Sequence, residues 1–224
     1  LSLGYEYHNS GIGYELFRYC PLESVYLGRN LSFSSDQSHG YSPFYNKTDL
    51  TSITIGDKVT NIEDYTFYQC GRNLISIVVA EGNSVYDSRN ECNAIIETNS
   101  NTLLVGCSAT IIPKDVKSIE ERAFYDCRSL ISITIPKSVT SIGGNAFQYC
   151  TSLKEIVIED GSETLSLGYN FDEHTGVASS ALFSACPLET VYLGRDLSYT
   201  SGKSYGYSPF YGYNKEVLCH VTIG

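Results

Sequence analysis

The sequence predicts an α/β repeat fold, a solenoid with a parallel β-sheet along one face and short helices or turns along the other. Three observations predict it. Apolar positions recur every 23 residues in the middle of the chain, the periodicity changes inside each recurrence, and the hexapeptide GYSPFY is written at 40–45 and again at 206–211.

The recurrence is read from Leu130, where L-I-S-I-T-I-P-K-S-V-T-S-I-G-G-N-A-F-Q-Y-C-T-S-L runs until Leu153 begins it again. Ile133 returns as Ile156, Ile135 as Ile158, Val116 as Val139, Ile119 as Ile142, Phe124 as Phe147 and Cys127 as Cys150. A fixed period with apolar positions held and polar ones free marks units too small to fold alone, which must stack to share a core. Within a unit, Ser132-Ile133-Thr134-Ile135 alternates and predicts a strand with both isoleucines on one face. Pro136, or Gly56 in an earlier copy, stops it. A second extended piece is predicted over 139–142, then one helical or 3₁₀ turn over 145–150 that presents Phe147 and Cys150 on one side. Each strand is expected to pair in parallel with its equivalent in the next unit.

The duplication extends well beyond six letters. Leu1-Ser2-Leu3-Gly4-Tyr5 returns as Leu165-Ser166-Leu167-Gly168-Tyr169, Cys20-Pro21-Leu22-Glu23 as Cys186-Pro187-Leu188-Glu189, and Gly28-Arg29-Asn30-Leu31 as Gly194-Arg195-Asp196-Leu197. The offset drifts from 164 to 168, as short loop insertions on a repetitive scaffold produce. GYSPFY is therefore duplicated architecture, with its phenylalanine in a core slot.

These residues resemble the BspA-like branch of the leucine-rich repeat superfamily, cell-surface proteins whose units read L-x-x-I-x-I-P-x-x-V-x-x-I-x-x-x-A-F-x-x-C. The pattern passes through Phe17, Phe44, Phe67, Phe124, Phe147, Phe183 and Phe210, and it loosens at both ends, where Lys47 and Tyr213 replace the cysteine and leave those units without one core position. The resemblance implies a right-handed leucine-rich-repeat solenoid occupying 1–224 as one domain. Between Phe67 and Phe124 a variant unit, about 80–113, contains a predicted hairpin: 92–97, a polar turn at 98–101, and 102–107.

Composition excludes several classes. With 25 acidic against 15 basic residues the net charge is −10, which disfavours nucleic-acid and anionic-membrane partners. No apolar run is long enough to span a bilayer, and the first residues lack the features of a signal peptide. The absence of methionine and the ends at mid-unit point to a processed or excised piece of a longer array.

Of the 8 cysteines, Cys20, Cys70, Cys127, Cys150 and Cys186 fall on the F-x-x-C position and are expected to form a ladder of free, buried thiols. Cys92 and Cys107, placed to bridge the hairpin, are the disulfide candidates. No C-x-x-C pair exists for zinc, and neither a metal nor a cofactor is expected.

Catalytic signals do not survive their context. Gly202-Lys203-Ser204-Tyr205-Gly206 matches G-x-S-x-G, but a nucleophile elbow needs an apolar strand before it and a helix after it, and here the flanks are polar and Pro209 follows. Cys219 and His220 are neighbours on a predicted strand and point to opposite faces. His8, His39 and His174 sit in polar, irregular stretches, and 159–163 lacks the alternation of a calcium loop. No enzyme is predicted.

Binding surface remains. The residue between the two buried positions of each strand faces outward, giving the series Tyr26, Thr54, Val78, Thr134, Val157, Tyr192 and Thr222, all uncharged. β-Propensity alone favours such residues, but repeat folds also use an extended sheet face for recognition. The stretch 199–213 adds five tyrosines among serines and glycines, a mixture suited to binding loops; Tyr199, Tyr205 and Tyr207 are the candidates there. The family resemblance implies an extracellular or surface-attached bacterial protein that adheres to host extracellular proteins or glycoconjugates; a monomer is expected, with the uncapped ends offering sheet edges for self-association. The competing expectation is a structural spacer with no ligand of its own.

Overall fold

The computed structural model describes residues 6–7, 13–14, 17, 19–33, 42–168, 170–172, 177–179, 182–199, 209–210 and 220–224. The alternating four-residue segments form strands that pair in parallel. Ser24–Leu27, Ser52–Ile55 and Ser76–Val79 make one sheet. Ser132–Ile135, Glu155–Ile158, Thr190–Leu193 and His220–Ile223 make another. Register follows the repeat, Ile133 opposite Ile156 opposite Val191. Because side chains alternate along a strand, this register stacks Ile53 on Ile77 and Ile133 on Ile156 inside the core, where all four are at most 5% exposed.

The second extended piece also pairs, so parallel ladders run on two walls instead of one. Ser118–Ile119, Ser141–Ile142, Leu165–Leu167 and Leu197–Tyr199 lie side by side. The predicted hairpin joins this second sheet: Ala94–Glu97 and Thr102–Gly106 are antiparallel, and Thr102–Gly106 pairs in parallel with Ser118–Ile119. Tyr86–Asp87 completes the edge.

The predicted helical turns are corrected to tight turns. The N–H of Cys127 donates to the carbonyl of Phe124 (3.1 Å) and that of Cys150 to Phe147 (3.3 Å), as one helical turn would require. However, the residues two before and two after each phenylalanine are left-handed: Arg122 and Asp126 at φ 59° and 60°, Asn145 and Tyr149 at 58° and 63°. A positive φ on each side prevents propagation of a helix. The turns ladder as well, with Phe124 N–H donating to Ala146 O (2.8 Å) and Asp126 N–H to Gln148 O (2.9 Å). Among the described residues one 3₁₀ segment occurs, Arg89–Glu91, and it too contains a left-handed residue, Asn90.

Phenylalanine rings stack through the core in two runs. Phe17, Phe44 and Phe67 stack at 5.7 Å between centroids, and Phe124, Phe147, Phe183 and Phe210 at 5.0, 5.4 and 5.3 Å. The variant unit separates them. One face of its hairpin sends Ile95 and Cys107 into the core that holds Phe67, while the other sends Cys92, Ala94, Ile96 and Leu103 into the core that holds Phe124.

Candidate functional site

Strand register decides which outward residues meet. Tyr26, Thr54 and Val78 stand abreast on one sheet, and Thr134, Val157, Tyr192 and Thr222 abreast on the other. Tyr26 is 70% exposed and Val78 47%. Tyr26 lies along the strand end: a Cβ at Gly28 would touch its ring, and one at Gly56 in the next unit would lie 2.9 Å from its hydroxyl. Tyr192 repeats the arrangement over Gly224, and its hydroxyl donates to Asp160 Oδ1 (2.7 Å), a bond that raises its pKa. Both tyrosines therefore lie flat, each presenting a ring face where glycine clears the space.

One member of the series escaped the sequence reading. Ile111 stands 23 residues before Thr134, the repeat spacing, and is 78% exposed. Ser108 N–H donates to Leu74 O (3.2 Å) and Ile111 N–H to Cys92 O (3.1 Å), so Ile111 holds the repeat position without pairing as a strand. Its signal is the repeat spacing itself, which the hairpin in the same unit interrupts. Ile75 and Ile131, each just before a strand, are also exposed.

The tyrosine-rich stretch is distributed differently. Tyr199 ends the strand Leu197–Tyr199 on the second wall, half exposed, and does not share a sheet with Tyr26 or Tyr192. Tyr205 and Tyr207 lie outside the described residues. A second set of tyrosines, unforeseen, lines the turn side: Tyr45 to Tyr68 at 5.8 Å, Tyr68 to Tyr125 at 4.9 Å, Tyr125 to Tyr149 at 5.4 Å. The recurring dipeptide Phe-Tyr at 44–45, 67–68 and 124–125 was its signal.

The cysteines serve structure. Cys70 Sγ donates to the carbonyl of Phe44 (2.8 Å), Cys150 Sγ to Phe124 (3.1 Å) and Cys186 Sγ to Phe147 (3.0 Å), each tying one unit to its predecessor. Lys47, in the unit expected to lack this position, is buried and donates its Nζ to the carbonyl of Phe17. The position thus requires a donor, and either residue type supplies one. Two members depart from the expected buried ladder: Cys20 is exposed and Cys186 half-buried. The Cys92–Cys107 bridge is corrected too: both thiols are free and buried, and they enter the two different cores on opposite faces of the hairpin. Burial pushes Cys70 up to about 12 and Cys92 up to about 11, and raises Cys107, Cys127 and Cys150, which keeps these thiols protonated and unreactive at neutral pH.

Among the described residues no three His, Cys, Asp or Glu side chains are grouped to hold a metal, and no helix is long and apolar enough to cross a membrane. The G-x-S-x-G stretch, Cys219, His8, His39 and His174 lie outside the described residues, and His220 is exposed.

The family model for the BspA type leucine rich repeat region, in 6 copies, matches residues 10–102 and 95–211. Solved structures that match the chain include the pneumococcal vaccine antigen PcpA, 18% identical over 80% of this chain and 54% of that one, with a TM-score of 0.41. A leucine rich cell surface protein from Faecalibacterium prausnitzii is 20% identical over 85% of this chain and 63% of its own, at 0.46. A leucine-rich repeat protein from Eubacterium ventriosum is 15% identical over 99% and 86%, at 0.35. The chain thus spans less than two thirds of the first two. No curated protein matches it.

Proposed function

This chain belongs to the BspA-type leucine-rich repeat family, and from that premise we propose that it is a non-catalytic adhesion module. Its units wind as one right-handed solenoid in a secreted or surface-attached bacterial protein, and it recognises host extracellular proteins or glycoconjugates. The observation that carries this reading is the outward column of uncharged side chains, Tyr26, Thr54 and Val78 in one block and Thr134, Val157, Tyr192 and Thr222 in the other, with Ile111 between them in the repeat. In a protein of net charge −10, a column kept free of charge and carrying flat tyrosine rings suits recognition, because it can be desolvated at low cost, and the charge on the strands' outward face stands beside the column, at Glu155. The loop tyrosines Tyr199, Tyr205 and Tyr207 are a second contact zone of the same module.

The test is binding to immobilised extracellular matrix proteins and glycoconjugates. The comparison sets the wild type beside a sheet variant (Tyr26→Ser, Val78→Ser, Tyr192→Ser) and a loop variant (Tyr199→Ser, Tyr205→Ser, Tyr207→Ser). Saturable binding lost in the sheet variant is the expected result. Loss only in the loop variant relocates recognition, and no binding by the wild type sinks the proposal in favour of a spacer.

A further inference from the structure

The variant unit contributes a hairpin but no phenylalanine turn, and its omission leaves a cavity on the turn side, away from the sheet face. Gly106 stands at the missing rung: its N–H donates to Ala123 O (2.8 Å), its carbonyl accepts from Cys127 Sγ (3.7 Å), and a Cβ there would run into the Phe124 ring. The opening between the Phe67 turn and the Phe124 turn has a volume of about 210 Å³, floored by Leu104, Val105 and Gly106.

Its walls have a specific chemistry. Tyr65, Tyr68 and Tyr125 line it, with Tyr65 packed edge-on against Tyr68 at 5.7 Å and Tyr68 against Tyr125 at 4.9 Å. Burial and bonding to Tyr68 raise the Tyr125 hydroxyl pKa, so it stays neutral. Around the rings stand Glu63, Asp64, Glu120 and Glu121, against the single cation Arg122. Arg122 shows what the rings accept: its guanidinium lies 5.3 Å from the Tyr65 centroid and 5.8 Å from that of Tyr68, donates to Tyr65 Oη (3.1 Å) and pairs with Glu121. Four carboxylates and one guanidinium leave the rim strongly negative, and rings that already hold one cation have the electrostatics to hold another.

We propose that this cavity receives one lysine or arginine side chain presented by a basic segment of a partner protein. The aliphatic stem would lie on the tyrosine rings while the charged head meets the rim carboxylates. The volume supports one side chain; a drug-sized ligand would need about 300 Å³ or more. Charge complementarity favours a cation over a neutral sugar, since a sugar would leave the rim charges uncompensated. The proposal is independent of sheet-face adhesion, and either stands without the other.

Titration of the ¹⁵N-labelled chain with N-acetyl-arginine amide and N-acetyl-lysine amide, followed by NMR, tests it, with N-acetyl-citrulline amide and N-acetylglucosamine as neutral probes. Saturable shifts at Tyr65, Tyr68, Gly106 and Tyr125 with the cationic probes are expected. Citrulline should bind at least ten-fold more weakly, and Glu63→Gln with Glu120→Gln should weaken the arginine probe at least five-fold while distant amides keep their positions. Shifts no larger with arginine than with citrulline, saturation by the sugar instead, or no shift at these amides would each overturn it.

Discussion

At the scale of single residues, the side chain three after each core phenylalanine ties its unit to the one before. Cys150 donates to Phe124 O, which also accepts from the Cys127 N–H, so Cys150→Ala removes the bond that joins the two units and opens a small void, while the carbonyl keeps its bond within the turn. Loss of about 1–3 kcal/mol in urea unfolding is expected, whereas Cys20→Ala, at an exposed position, should change stability by less than about 0.5 kcal/mol. The same thiols set an alkaline limit. Burial raises the folded pKa of Cys70 from 9.0 to about 12, so the unfolded chain releases its proton first as pH climbs. The stabilising contribution is complete below pH 9 and is lost between about 9 and 12, at about 1.4 kcal/mol per pH unit for each such thiol. Urea midpoints measured against pH should be level near neutrality and fall above 9, and Cys70→Ser should flatten that slope by roughly one thiol's share.

Elements show where local sequence was sufficient and where it was not. Ser132-Ile133-Thr134-Ile135 could be placed on a strand because alternation and the 23-residue period agree, and the register confirms it. The spacing Phe-x-x-Cys predicts a helical or 3₁₀ turn over 145–150. The left-handed φ of Asn145 and Tyr149 overrules that, and neither residue type announces it as glycine would. Cys92 and Cys107 bracket the hairpin in sequence, yet a one-residue difference in register sends them to opposite faces. The outward column was legible from alternation, and Ile111 from the period, but the cavity beside Tyr68 was not, because it arises from a turn that the variant unit lacks. Two substitutions probe that unit. Gly106→Ala drives a methyl into Phe124 and should cost about 1–3 kcal/mol. Arg89 joins Asp87 (2.6 Å), Asn101 (2.7 Å) and Asp115 (2.5 Å), fastening the hairpin edge to its turn and to the segment that follows. Arg89→Ala should cost about 1–3 kcal/mol and raise amide exchange across 86–106 before exchange elsewhere changes.

For the whole molecule, stability accrues unit by unit, since each unit packs chiefly on its two neighbours. Removing residues 131–153, one period of 23, rejoins Leu130 to Lys154 in phase and should give a shorter chain that still unfolds cooperatively, at a lower temperature. Removing 131–142 puts buried and exposed positions out of phase and should abolish the folded state. Calorimetry and circular dichroism on the two deletions decide it, and a stable fold from both would refute neighbour-by-neighbour packing. The in-phase ladder also acts as a ruler. Neighbouring strands lie about 4.8 Å apart, so Thr134, Val157, Tyr192 and Thr222 mark three intervals of that length, about 14 Å in all. Same-side residues of an extended peptide repeat at about 6.8 Å, so two of its intervals also measure about 14 Å. The two scales work as a vernier. A peptide laid along the column falls out of step at Val157 and Tyr192 and returns to step at Thr222, four of its own residues on, which selects partners by spacing as well as by chemistry.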